Sequence, residues 1–330
     1  MIINNFFEHQ IAYLLILQNF REFSNGIFDK FFISITELGE ITIPLIIVSW
    51  IYWCNNTKYG MFILWNWGLG FIVNEFLKNT ACIYRPWILD NRIHPVPQAL
   101  NMSGGYSFPS GHTQNAVSIF GGIAVSFHKK FLTILMIFLI LLIAFSRNYL
   151  GVHTPQDVVV SLITGCFILY FLKKIEKWAE YTKNADIIIL SVVYLFSLFL
   201  VLFEHFKSYP MDYVNGQLLV NPDLMRLYTF PKIGIILGIF TGWFLNNRFL
   251  KFDGSIGNSN EKLLRFLFGT IILSIIFTKG TDFFMLLMAK KYAMFFSAFL
   301  SMLFLTFLYP LCINYIELNK KSLQKESVKQ

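Results

Sequence analysis

Apolar and polar positions follow one another along this chain in long blocks. Nine stretches, near 34–54, 59–77, 109–127, 131–149, 158–172, 186–203, 232–249, 263–283 and 292–312, are apolar and nearly free of charge. A bilayer crossing needs about 20 such residues, so the pattern predicts about nine transmembrane helices, the fifth of them short. Lipid offers no partner to an open backbone group, and runs of this length therefore close their hydrogen bonds internally as helices. The expected fold class is all-α, a polytopic helical bundle. Residues 6–20 differ: Phe6, Phe7, Ile11, Leu14, Leu15 and Leu17 alternate with Glu8, His9, Gln10 and Gln18. That mixture suits a helix lying on the membrane surface, with a tenth crossing as the alternative.

Two connections are long. Residues 79–108 hold Arg85, Pro86, His94, Pro95, Pro97 and a Gly-Gly pair, and residues 204–231 hold Glu204, His205, three prolines and two aspartates. The other connections are short, and the basic ones gather on one face: Lys58, Lys129, Lys130, Lys173, Lys174, Lys177, Lys183, Arg248, Lys251, Lys262 and Arg265, with the lysines of the tail. Short basic loops stay in the cytoplasm. Both long connections are thereby assigned to the extracytoplasmic face. The tail from Lys320 is polar and expected to be disordered.

Composition narrows the picture further. Of 330 residues, 55% are apolar and 14% charged. A soluble domain carries about a quarter charged residues, so a soluble surface cannot be covered. The net charge of +8 does not indicate nucleic acid, because the basic residues sit in clusters between apolar runs. Four cysteines without a CxxC pair read as small hydrophobes, with neither a metal site nor a disulfide framework expected. The first residues lack a basic n-region, so no cleavable signal peptide is expected.

Three segments place charge where lipid forbids it. Lys78 to Pro86 ends the second span, Pro109-Ser110-Gly111-His112 opens the third, and Ser146-Arg147 ends the fourth, followed by His153 and Asp157 at the fifth. With alternating spans all three meet at one membrane face. Such cations repel one another unless an anion lies among them. Arg85 and Arg147 can each hold two phosphoryl oxygens, and Lys78 adds a point charge. Gly111 permits close backbone approach, and Ser110 offers a hydroxyl at a helix start. His153 and Asp157, four apart, share a helix face. A carboxylate there can hold one ring nitrogen and leave the other as nucleophile. His112 can protonate the leaving oxygen and then activate water.

The order Lys-x6-Arg-Pro, Pro-Ser-Gly-His and Ser-Arg-x5-His-x3-Asp resembles the type 2 phosphatidic acid phosphatase superfamily, which includes lipid phosphate phosphatases and glucose-6-phosphatases. Every motif position is filled: Lys78, Arg85, Pro86, Pro109, Ser110, Gly111, His112, Ser146, Arg147, His153 and Asp157. The resemblance implies a helical core and a metal-free site without cofactor. It also implies His153 as nucleophile, His112 as general acid and base, Asp157 orienting His153, and Lys78, Arg85, Ser110, Gly111 and Arg147 as phosphate ligands. The domain reading is an interfacial segment over 1–33, a phosphatase core of about five spans over 34–172, further transmembrane helices over 173–318 and a cytoplasmic tail over 319–330. The expected activity is hydrolysis of a lipid phosphate or diphosphate, with membrane lipids as partners, no nucleic acid, and a homodimer as an open option. The alternatives are a phosphatase for a soluble ester such as a sugar phosphate, and a transporter or channel that kept the fold without the chemistry.

Each residue also has a plainer role. Thr154, Pro155 and Asp157 fit a helix cap, Ser110 can cap the third span, and Lys78 can snorkel to the interface. His128, beside Lys129 and Lys130, reads as solvated, while His94 lies in the loop at the expected active face. Gly234, Gly238 and Gly242 read as a packing seam.

Overall fold

A computed structural model describes residues 2–214 and 216–316, with side chains from Phe7 onward. The expected disordered tail, and Phe6 in the N-terminal pattern, lie outside what is described. The chain runs through α1 (Ile2–Phe23), α2 (Asp29–Glu37), α3 (Thr42–Trp50), α4 (Thr57–Ala81), α5 (Pro86–Leu89), α6 (Pro97–Leu100), α7 (Gly111–Ala116), α8 (Gly122–Phe127), α9 (Lys130–Tyr149) and α10 (Pro155–Tyr181). It continues through α11 (Ala185–Phe206), α12 (Pro222–Leu245), α13 (Ser259–Met285) and α14 (Lys290–Leu303). Short π-helical turns extend α3, α12 and α14 and join α7 to α8. The only strands among the described residues are β1 (Tyr213–Val214) and β2 (Gln217–Leu218), two residues each.

Helices occupy all nine predicted stretches. Six are long and apolar enough to cross a membrane, and the pair Asp29–Glu37 and Thr42–Asn55 makes a seventh if taken as one bent span. The helix α4 carries Lys58, Asn66, Asn74, Glu75, Lys78 and Asn79, and the run from Gly111 to Phe127 is short, so neither passes on length and hydropathy. The protein is an all-α, multi-pass membrane protein. Its apolar outer faces follow helical spacing: Phe131, Ile134, Phe138, Leu141 and Phe145 on α9 are exposed, as are Leu264, Leu267, Phe268, Ile271 and Ile275 on α13. A soluble protein does not display such stripes.

The first predicted span is broken between α2 and α3. Pro44 explains where. A proline has no N–H and its ring clashes with the carbonyl four residues back, which here belongs to Glu40. Gly39 adds a weak helix former at the same place.

By internal contacts the chain forms two compact units. One comprises residues up to Leu45, Leu69–Lys174 and Leu202–Thr229; the other comprises Ile46–Gly68, Ile175–Val201 and the chain from Phe230. All motif residues belong to the first unit. Within it α1 lies over the loop after α4. Ile11 and Leu14 pack with Ile93, while Gln10 bonds Gln156 and Gln18 bonds the Arg92 carbonyl and the backbone N–H of His94. Gln10 and Gln18, polar positions of that pattern, and Arg21 just beyond it are buried against protein.

The first unit also recruits the second long connection. Tyr209 stacks on Tyr106 at 6.3 Å, Tyr84 donates to Asp212, and Asn79 bridges Glu75 and Glu204. In the second unit, a Cβ on Gly234, Gly238 or Gly242 would collide with the chain around Phe295, Phe299 or Thr306. The glycine stripe is the seam along which α12 meets α14, as its spacing of four predicts. Tyr52 and Trp53 donate to the carbonyls of Thr306 and Leu305, both at 2.8 Å, fixing that unit's interior.

Candidate active site

The site begins with how α9 gives way to α10. Gly151 turns the chain at φ +73°, and a Cβ there would sit 3.2 Å from Pro95 Cα. Only glycine enters that turn without strain. Asn148 Nδ2 then holds the His153 carbonyl at 2.9 Å. Next comes the cap of α10. Asp157 Oδ2 accepts from the Thr154 N–H at 2.8 Å, while Thr154 Oγ1 receives the Asp157 N–H at 3.4 Å. The same Oδ2 lies 3.2 Å from His153 Nδ1. Asp157 therefore serves both readings at once, capping the helix and holding the imidazole.

His153 is 2% exposed. With Nδ1 facing Asp157, Nε2 points the other way, 2.9 Å from Arg85 Nη1. Burial pushes the His153 pKa well below its ordinary value, and the charges of Arg85, Arg147, Lys78 and His112 push it the same way. The ring is neutral at pH 7, with Nε2 as the lone-pair nitrogen. Ser107 adds a partner absent from the sequence reading: its hydroxyl donates to Asp157 Oδ2 and lies 3.3 Å from His153 Nδ1.

The cations surround this ring. Arg85 donates to the carbonyls of Gly104, Gly105 and Val152. Burial pulls its pKa down to about 10, so it remains charged at neutral pH. Arg147 is fully buried. Its Nη1 donates to Thr36 Oγ1 at 2.7 Å and its Nη2 to Ser103 Oγ at 3.1 Å, while Nε has no partner. Lys78 Nζ donates to the carbonyls of Tyr106 (3.0 Å), Ser107 (3.3 Å) and Pro109 (3.0 Å). It ties down the loop that carries Ser107 and leads into α7, so its charge stands beside the site while its protons engage backbone.

Ser110 caps α7, accepting from the Thr113 N–H at 3.5 Å and the Thr113 hydroxyl at 3.0 Å. Its own N–H goes to the Asp157 carbonyl at 3.0 Å, which locks the start of α7 to the start of α10. A Cβ on Gly111 would meet nothing nearer than Asn74 Oδ1 at 3.9 Å. His112, on the next position, lies 2.7 Å through Nε2 from Glu40 Oε1. Thus the three sequence segments do converge, and Thr36, Glu40, Ser103 and Ser107 join them. His94 sits under α1, its Nδ1 3.3 Å from Gln18 Nε2.

Comparison with known proteins bears on what this arrangement is. Residues 59–181 match the PAP2 superfamily, and residues 230–321 match a PAP2 superfamily phosphatase transmembrane extension. Phosphatidylglycerophosphatase B of Bacillus subtilis is 30% identical over 157 residues, spanning 44% of this chain and 73% of the relative. The chain belongs to the PAP2 superfamily. Undecaprenyl-diphosphatase BcrC of Bacillus subtilis is 28% identical over 149 residues, 44% of this chain and 72% of its own. Lipid A 4'-phosphatase of Porphyromonas gingivalis is 26% identical over 159 residues, 46% and 67% of the two chains. No solved structure matches. The superfamily match takes in every motif position, and the extension match covers α12 to α14, for which the sequence alone suggested no role.

Proposed function

We propose that this protein hydrolyses a phosphate or diphosphate ester of a membrane lipid through a phosphohistidine on His153. The observation that carries the reading is the buried imidazole held between Asp157 at Nδ1 and Arg85 at Nε2, with Arg147 beside it. Phosphoryl transfer needs positioning and charge neutralisation more than covalent help from the protein. His153 Nε2 attacks phosphorus and the P–O bond to the lipid breaks. His112 gives its proton to the departing oxygen. Water then attacks the phosphorus, losing a proton to His112, and the N–P pair returns to His153. Asp157 stabilises the ring while it carries positive charge.

The lipid character of the substrate rests on two supports. The named relatives act on a phosphatidylglycerophosphate, a lipid A phosphate and an undecaprenyl diphosphate, and α9 and α10, which bear Arg147 and Asp157, expose apolar faces. A panel of lipid and soluble phosphate esters, offered to purified protein in detergent, tests it. Lipid esters should show a kcat/KM at least about tenfold above that of sugar phosphates, the range expected of even one apolar contact. Equal turnover of a sugar phosphate would shift the assignment to a soluble ester.

The same assay examines metal dependence. The anion site is cationic, and the nearby carboxylates of Asp157 and Glu40 are engaged with histidines, leaving no oxygen cluster of the kind Mg²⁺ requires. Activity should persist with chelator present. Orthovanadate, a mimic of the five-coordinate phosphoryl group, should inhibit. Loss on chelation with recovery on added Mg²⁺ is the contrary result.

Sidedness follows from loop charge. Lys129 and Lys130 at the junction of α8 and α9, and Lys173, Lys174, Lys177 and Lys183 at the end of α10 and just beyond it, support a cytoplasmic position for their face and an extracytoplasmic one for the catalytic residues. A cysteine introduced at Asn91, in the exposed turn after α5, should react with an impermeant thiol reagent in intact cells, against a background lacking native cysteines. Labelling only after the membrane is opened would reverse the orientation.

A further inference from the structure

Glu40 stands in the break between α2 and α3, and the approach of that break to α7 is close. A Cβ on Gly39 would lie 3.0 Å from the His112 carbonyl oxygen and 3.2 Å from His112 Cβ. Asn115 Nδ2 clamps the Gly39 carbonyl at 3.0 Å. One turn earlier Thr36 takes the Nη1 of Arg147. The outcome is a carboxylate 2.7 Å from His112 Nε2, with the His112 side chain 10% exposed and that of Glu40 38% exposed. The approach is close without the alignment of a hydrogen bond, and it becomes an ion pair when His112 takes a proton.

A carboxylate is a costly neighbour for a site that must take a phosphate dianion, since like charges a few ångströms apart repel. Its presence there calls for a compensating task. His112 has to become a cation beside Arg147 and Arg85 before it can give a proton away, and a carboxylate in contact stabilises that cation. With Nε2 engaged by Glu40, Nδ1 is the nitrogen left to exchange a proton with the ester oxygen and then with water.

We infer that Glu40 is the positioning residue of the proton-transfer step: it orients His112 and favours the protonated form from which the leaving alcohol takes its proton. The inference rests on the proposed acid–base role of His112. It assigns a catalytic purpose to the break itself. Pro44 ends the hydrogen-bond ladder at Glu40, Gly39 lets the break touch α7, and the carboxylate is thereby delivered from the first span to the third.

The test uses leaving groups. A long-chain alkyl phosphate expels an alkoxide that must be protonated, whereas p-nitrophenyl phosphate expels a phenolate that need not be. Pre-steady-state release of each alcohol is measured over a substrate series up to saturation on purified protein, for the native chain and for Glu40→Gln, Glu40→Asp, Gly39→Ala and His112→Asn. Glu40→Gln should slow release of the alkyl alcohol by about 10- to 100-fold, at the low end of what a general acid contributes. It should slow p-nitrophenol release several-fold less, with KM for both esters little moved. Glu40→Asp should recover much of the loss. Gly39→Ala, which pushes the break away with the carboxylate intact, should show the same bias toward the activated ester.

Equal losses on both esters, or a gain in rate with Glu40→Gln, overturn the inference; the gain would mean that the carboxylate merely competes with phosphate. Gly39→Ala without leaving-group bias overturns it as well. His112→Asn separates this inference from its parent. If that variant has no leaving-group bias, the role of His112 fails. If it has the bias and Glu40→Gln does not, only the role of Glu40 fails.

Discussion

His153→Ala will remain folded in detergent and lose turnover by roughly 10³-fold or more, as when a covalent nucleophile is removed from a concerted set. The native protein, quenched during turnover of a ³²P-labelled ester, will carry phosphate that is labile to acid and stable to alkali. The variant will carry none. This follows from a ring with one nitrogen held by Asp157 at 3.2 Å and the other presented to the guanidinium of Arg85 at 2.9 Å. Small-to-moderate losses, or label persisting in the variant, would remove His153 from the covalent step. Folding is not expected to suffer, because the cap of α10 is made by Thr154 and Asp157 and not by the imidazole.

The second large effect belongs to Arg147. Its guanidinium is completely buried, is bonded to two neutral hydroxyls, and keeps an Nε without partner. The half-exposed Glu40 carboxylate offsets only part of this charge; a buried cation so placed lowers stability, and the remaining compensation is an anion that arrives with the substrate. Arg147→Met should reduce kcat/KM by about 10²–10³-fold, the scale of one lost transition-state donor. Its melting temperature in detergent should stay level or rise, a pattern common where function holds a strained group in place. Arg147→Lys should fare nearly as badly in activity, because an ammonium cannot reproduce the planar fork. A fall in melting temperature matching the fall in activity would instead make Arg147 a structural strut.

Much of this was legible because the chemistry stands out against its background. Lys78, Arg85, His112, Arg147, His153 and Asp157 are polar residues beside apolar runs, and their spacing carries the family pattern. The glycine stripe was legible for the same reason, since a spacing of four defines one helix face. What was missed had weaker signals. Glu40 lay within a run scored as one continuous span, and the cue was Pro44, four residues on, which cannot satisfy the Glu40 carbonyl. That Gln10 and Gln18 bond to protein was not legible, because an amphipathic pattern does not distinguish solvent from a polar protein surface. Ser107 resembles any loop serine until Asp157 is seen beside it. Nor did the long connection before α12 announce that Tyr209 and Glu204 join the core, since such contacts have no periodicity.

With His153 as the proposed nucleophile, the bond between Arg85 and His153 Nε2 would serve as a safety catch. The lone pair that must attack phosphorus is also the acceptor that the guanidinium occupies, so a stray electrophile without charge finds the imidazole already spoken for. On the same mechanism a phosphate dianion would compete for the guanidinium and, in doing so, uncover the ring nitrogen. Selectivity for phosphoryl groups would then reside in the arming of the histidine as well as in the fit of the ester.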